Sequence, residues 1–136
     1  MKMLSALLVA LALCVGCSFE VAAEELDGSQ WKVRYKGSNS VMPFWNRDTV
    51  SFEKGRFRSS DALPNGFQPA PYETKKNGDT LTWYSTQTNP DGERLQWEGS
   101  KIGDKMEGSF TRTEPDGKAR EYRFIAELQR LKEDSR

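Results

Sequence analysis

The chain has 136 residues, with 20 lysines and arginines against 20 aspartates and glutamates, and no histidine. That length suits one domain rather than two, and the balanced charge, without a basic stripe or an acidic block, argues against a nucleic-acid partner or a cation sponge. The missing histidine removes the commonest metal ligand and the commonest general base near neutral pH.

The N-terminus reads as a targeting segment. Lys2 gives it a positive start, and residues 3–15 form an apolar run, shorter than the roughly 20 residues that span a bilayer. Val21-Ala22-Ala23 fits a small-residue cleavage site before Glu24, so residues 1–23 are predicted to be a signal peptide and the protein to be exported to the periplasm or cell envelope. Both cysteines, Cys14 and Cys17, fall in this segment. Their C-x-x-C spacing has no second pair and no histidine to complete a zinc site. Val15-Gly16-Cys17 resembles the lipobox of bacterial lipoproteins, with Cys14 where leucine is usual. The resemblance implies acylation at Cys17. Cleavage after Ala23 is the other reading, and it leaves a mature chain without cysteine.

After a polar lead-in, Trp31, Val33 and Tyr35 alternate with Lys32, Arg34 and Lys36, the period of a half-buried strand. Residues 37–46 form a loop of unusual content, with Val41, Met42, Phe44 and Trp45 around Pro43. An apolar loop must rest on something or bind something, so it is expected either to plug one end of the core or to act as a flap over a ligand site. Residues 49–53 and 56–60 predict a hairpin about Lys54-Gly55, and residues 67–76 a strand weakened at its start by Pro69 and Pro71. Asn77-Gly78 then gives a two-residue hairpin signal.

Residues 77–125 contain one unit twice. Gly78-Asp79 opens the first copy and Gly103-Asp104 the second, and each reaches a Pro-Asp-Gly step, at residues 90–92 and 115–117. Pro-Asp-Gly presets one backbone angle and supplies a glycine for a left-handed residue, so each copy is predicted to be a hairpin. Leu81, Trp83 and Ser85 share a face, as do Leu95, Trp97 and Gly99; Met106, Gly108 and Phe110; and Tyr122, Phe124, Ala126 and Leu128. The opposite faces are polar, as in an antiparallel sheet with one wet side. Residues 127–136 are a charged tail, expected as a short helix or a frayed end.

Eight such strands with short turns predict an all-β domain over residues 24–136. The expected architecture is an antiparallel up-and-down barrel, with a two-sheet sandwich as the alternative. Gly99, Gly108 and Ser85 on the inward face either leave space for a ligand or make room for Trp31, Trp83 and Trp97. The Gly28-Ser29-Gln30-Trp31 opening resembles the Gly-x-Trp signature of lipocalins, with one residue more, and the apolar first loop and the run of hairpins are also similar to lipocalins and related calycins. The resemblance implies a barrel that binds small apolar molecules inside.

Catalytic chemistry finds no support. Glu98, Glu107 and Glu121 lie on the wet face among Arg94, Lys105 and Arg123, where cross-strand ion pairs explain them. Ser38, Ser59 and Ser60 have no histidine partner, and Asp79 and Asp104 suit turns better than calcium. The expectation is a non-enzymatic barrel without metal or cofactor. It would bind a small apolar or aromatic ligand through Trp83, Trp97, Phe110 and Tyr122 inside and Met42, Phe44 and Trp45 at the mouth. The alternative is a protein-binding module of the cell envelope, an inhibitor of a secreted hydrolase or an assembly factor, with the 37–48 loop and the turn tips as its contact surface. No nucleic-acid partner is expected, and membrane association only through a lipid anchor at Cys17.

Overall fold

Period-two alternation carries through almost the whole chain and closes it into a ring. The computed structural model describes residues 25–130; the predicted signal peptide with Cys14 and Cys17, and residues 131–136 of the tail, lie outside them. The strands are β1 (Ser29–Gly37), β2 (Asn46–Glu53), β3 (Arg56–Ser59), β4 (Ala70–Asn77), β5 (Thr80–Thr88), β6 (Arg94–Ile102), β7 (Lys105–Thr113) and β8 (Ala119–Leu128). Each pairs antiparallel with the next, and β8 returns to β1 to close an up-and-down barrel rather than a two-sheet sandwich. Closure leaves no long unpaired edge.

The turns follow from glycine placement. Lys54 and Gly55 both have positive φ, 52° and 76°, as a type I′ turn requires. Between β4 and β5 the loop is Gly78-Asp79, because Asn77 pairs with Thr80 inside the ladder, so the turn sits one residue beyond the Asn77-Gly78 expectation. The two Pro-Asp-Gly turns are the same structure twice. Gly92 N–H bonds Asn89 C=O and Asn89 N–H bonds Glu93 C=O; Gly117 and Glu114 repeat the pattern with Glu114 and Lys118.

Two other boundaries move. The fourth strand begins at Ala70 rather than at residue 67, with Phe67 buried in the core. β8 runs to Leu128, paired with Trp31, so residues 127 and 128 belong to the sheet rather than to the tail. The β3–β4 seam is the shortest, with Arg56 opposite Pro71 and Phe57 opposite Ala70. Pro71 has no N–H to donate, and its carbonyl is taken by Ser85 Oγ at 2.9 Å.

The N-terminal turn closes the barrel end below that seam. Asp27 accepts from Lys54 N–H at 3.0 Å, Gly55 N–H at 2.8 Å and the Tyr72 hydroxyl at 3.0 Å. Lys76 pairs with Glu25. Leu26 is fully buried at this closed end. Ser29, the residue that lengthens the Gly-x-Trp pattern, accepts from the Trp31 indole at 2.9 Å and donates to Leu26 C=O, so Trp31 packs fully buried with its N–H satisfied.

The interior is filled. Trp83 lies 4.9 Å from Phe52, 4.8 Å from Phe57 and 6.4 Å from Trp97, centroid to centroid. Its indole N–H points at Met106 Sδ, 3.3 Å away. The inward glycines Gly99 and Gly108 face each other on one rung; the missing side chain of Gly99 is the space Trp83 occupies, and that of Gly108 lets the β6 backbone and Phe124 approach. A Cβ on Gly99 would lie 2.4 Å from the Trp83 indole nitrogen; one on Gly108 would lie 2.1 Å from Glu98 C=O and 2.9 Å from Phe124. A glycine within a strand costs roughly 0.5–1 kcal/mol against alanine, less than the roughly 1.5–3 kcal/mol gained by fully burying one large apolar side chain.

Gly108→Ala should therefore destabilise the barrel by about 1–3 kcal/mol through overpacking, measured by urea unfolding. An unchanged midpoint would mean that the β6 backbone at Glu98 and the Phe124 ring do not close on Gly108.

Candidate functional site

With the middle packed, the concave space inside the barrel lies at the end opposite Leu26. There the alternation that drives apolar side chains inward continues past the last apolar residue of several strands and brings polar ones in. On β2 the inward series Phe52, Val50 extends to Asp48 and Asn46. On β7 the series Met106, Gly108, Phe110 ends on Arg112, and on β5 the series Leu81, Trp83, Ser85 ends on Gln87. Asn46, Asp48, Phe110 and Arg112, together with Tyr35, Ser59, Asp61, Leu95, Trp97 and Tyr122, bound a pocket of about 180 Å³, with Gln87 behind Trp97.

One side of the pocket is aromatic. Trp97 stacks on Phe110 at 4.2 Å, Phe110 stacks on Tyr122 at 4.8 Å, and Tyr35 meets Phe110 edge-on at 5.3 Å. Such pairs add roughly 0.5–1.5 kcal/mol each beyond their burial and hold the rings in place. Gln87, fully buried, locks Trp97: its Oε1 accepts the indole N–H at 3.1 Å, while its Nε2 donates to Gln68 C=O at 3.0 Å.

The other side is acidic. Asp48 accepts from Thr49 N–H at 2.7 Å, from Asp61 N–H at 2.8 Å and from Ser59 Oγ–H. Asp61 accepts the Tyr35 hydroxyl. Burial pushes the Asp48 carboxyl above its ordinary range, against the opposing pull of those hydrogen bonds. Burial, then the Asp61 hydrogen bond, raises the Tyr35 phenol, so it stays a donor. Arg112 brings a positive charge to the rim, but Glu93 holds it in two bonds, at 2.9 and 3.1 Å. Asn89 and Arg112 in turn keep the Glu93 carboxyl below its ordinary range. The rim guanidinium is thus spoken for, and the net character of the pocket is acidic and aromatic.

The expected site residues separate. Trp97, Phe110 and Tyr122 line the pocket. Trp83 is packed deeper, among Phe52 and Phe57. The 38–45 loop neither plugs the core nor lines the pocket: Val41, Met42 and Phe44 are 94%, 55% and 72% exposed. Trp45 lies on the outer wall, its ring 4.5 Å from Lys36 Nζ and 6.0 Å from the Arg123 guanidinium. What borders the mouth instead is the β3–β4 connection. Gly66, at φ 88°, turns it after a 3₁₀ turn at Leu63–Asn65, and Phe67 then inserts into the core beneath Arg112. Cys17 lies outside the described residues. Asp104 is bonded by Arg130 at 2.7 Å.

Asp48, Asp61 and Arg112 were not among the expected site residues. The signal for Asp48 is present in the sequence, since it falls on the parity of Val50 and Phe52. No family model matches the chain, and no curated protein or solved structure matches it either.

Because the folded-state pKa of Asp48 is raised, folding favours its protonated form. That stabilisation is full below the unfolded carboxylate pKa, roughly 3.9, and is lost as pH rises through the higher folded value. Asp48→Asn keeps the acceptor for both N–H groups and carries no charge. The stability of Asp48→Asn relative to the parent should therefore increase from pH 4 to pH 7 (both approximate bounds of the carboxylate window), as urea unfolding across that range would report. A pH-independent difference would mean that Asp48 ionises as freely as a solvated carboxylate.

Proposed function

We propose that the protein is an exported, non-enzymatic binding protein whose site is the barrel mouth, and that its ligand is a single-ring aromatic molecule carrying a hydrogen-bond donor or a positive charge. The observation that carries this reading is the pairing, within one pocket, of the Trp97–Phe110–Tyr122 stack with the Asp48 and Asp61 carboxylates. Aromatic faces attract cations, and the more so when desolvated; the carboxylates supply acceptors with lone pairs to spare. Size limits the choice. Pockets for drug-sized ligands span about 300–1,000 Å³, whereas a cavity of about 150 Å³ takes a benzene ring. The mouth, at about 180 Å³, suits the second.

A lipocalin-like role for the chain rests on the Gly28-to-Trp31 opening and on the barrel topology. The packed interior argues for a smaller guest than the apolar ligands that resemblance implies. Binding rather than catalysis is favoured because Asp48 already accepts three hydrogen bonds from its own fold and no histidine is present to relay a proton. Residues 1–23 would direct export, with Cys17 as the anchor if it is acylated.

The test is a titration with single-ring aromatic amines followed by tryptophan fluorescence. Binding should alter the emission of the parent and of Trp83→Phe, but not of Trp97→Phe, and Asp61→Asn should weaken it. If no amine changes the emission or shifts the NMR resonances of Tyr35, Phe110 and Tyr122, the mouth is not a ligand site.

A further inference from the structure

The outer wall beside the 38–45 loop carries an unusual charge arrangement. In an antiparallel sheet, directly opposed residues on one face interact, and like charges there repel. Two adjacent ladders nevertheless set cation against cation. Arg34 is opposite Arg47 across β1–β2, and Lys36 is opposite Arg123 across β1–β8. Lys32 continues the outward row of β1. Among the described residues, none of these five forms an ion pair; the pairs present are Lys76–Glu25, Lys105–Glu127, Arg112–Glu93, Lys118–Asp116 and Arg130–Asp104. The acids that share the face on β8 are Glu121 and Glu127; Glu127 is held by Lys105 at 2.8 Å and also lies opposite Lys32, so the unrelieved like-charge rungs are Arg34–Arg47 and Lys36–Arg123. Lys32, Arg34 and Arg47 also line a broad open groove with Ile125, which Lys105 and the acids Asp48, Asp61, Glu107 and Glu127 share.

From this cationic wall rises the loop with its exposed Val41, Met42 and Phe44. Trp45 forms the base of the loop, between the Lys36 and Arg123 head groups. We infer that residues 41–44 and the Arg34–Arg47 and Lys36–Arg123 rungs form an edge that docks on an anionic lipid surface. Apolar side chains entering the acyl boundary, with cations at headgroup level, are the composition of interfacial binding. An amphipathic indole between them sits where tryptophan is enriched at membranes. A protein partner fits less well. Three apolar side chains on one narrow loop fall short of the roughly 800 Å² that each side of a specific protein interface buries. The inference does not rest on the mouth ligand, because neither residues 41–44 nor Arg34, Lys36, Arg47 or Arg123 line that pocket. It is also independent of acylation.

Vesicle co-sedimentation tests it, using the protein recovered from expressing cells with Cys17→Ser, so that no acyl chain contributes. The protein should bind phosphatidylcholine vesicles only when phosphatidylglycerol is included, and should be released by salt. Arg47→Glu should weaken binding by roughly five-fold or more, the effect of one juxtamembrane charge. Phe44→Ser should weaken it by roughly ten-fold, the worth of one buried ring. Arg47→Glu should at the same time raise the thermal midpoint, since it turns a repulsive rung into an attractive one; a structural role alone would not move affinity and stability in opposite directions. Should that variant misfold, Phe44→Ser decides alone, because its side chain is outside the core. Equal binding to both vesicle types would overturn the inference. So would indifference to Phe44→Ser, release by glycerol phosphate as efficient as release by anionic vesicles, or a protein held by residues 41–44 while anionic vesicles are ignored.

Discussion

The contact on which the rest depends is Trp83 against the bare backbone of Gly99. A closed ring of eight strands has an interior of fixed width, and side chains must fill it at close to crystal density. Gly99 leaves the space that the Trp83 indole takes, and Gly108, opposed on the same rung, lets the β6 backbone and the Phe124 ring come close. Phe52, Phe57 and Trp97 then close around Trp83. Once the middle is occupied, no channel runs through the barrel, and whatever the protein holds must be held at an end.

The two ends differ for a reason visible in the chain. At the lower end the loops are two-residue turns, and the N-terminal turn is bonded across the weak β3–β4 seam through Asp27. At the upper end the connections are longer, and the last inward residues are polar: Asp48, Gln87 and Arg112. Burying such groups is costly unless each is bonded. Among the described residues every buried side-chain polar atom has a partner. Gln87 meets the condition by bridging Trp97 to the Gln68 carbonyl, and Asp48 by gathering three donors, from Thr49 beside it on β2, from Ser59 at the end of β3 and from Asp61 just beyond. The mouth is therefore rigid as well as polar, and that is what gives a pocket as small as 180 Å³ a defined shape.

Strand order, hairpin positions and the inward aromatic faces were legible because each rests on a local rule: period two, Pro-Asp-Gly, and glycine beside a large ring. The tertiary choices were not. Whether Gly99 and Gly108 mark a hole or a filled crossing depends on which rings reach across from β5 and β8, and alternation names a face without naming a reach. The apolar loop at residues 37–46 is expected to plug the core or to cover a ligand site because apolar side chains are usually buried; its Trp45 instead meets two cations on the outer wall, while Phe67, just ahead of β4, enters the core. The acidic half of the site was hidden for a related reason. Asp48 and Arg112 look like ordinary surface charges until the closed register shows their strands continuing inward past the last apolar residue.

Diffraction from a xenon-pressurised crystal tests the central claim most directly, because xenon enters apolar voids without needing to be recognised. A barrel filled at its middle and open at its mouth should show xenon beside Trp97, Phe110 and Tyr122 and none beside Trp83. Xenon lodged between Trp83, Gly99 and Gly108 would contradict the account and place the binding space in the interior.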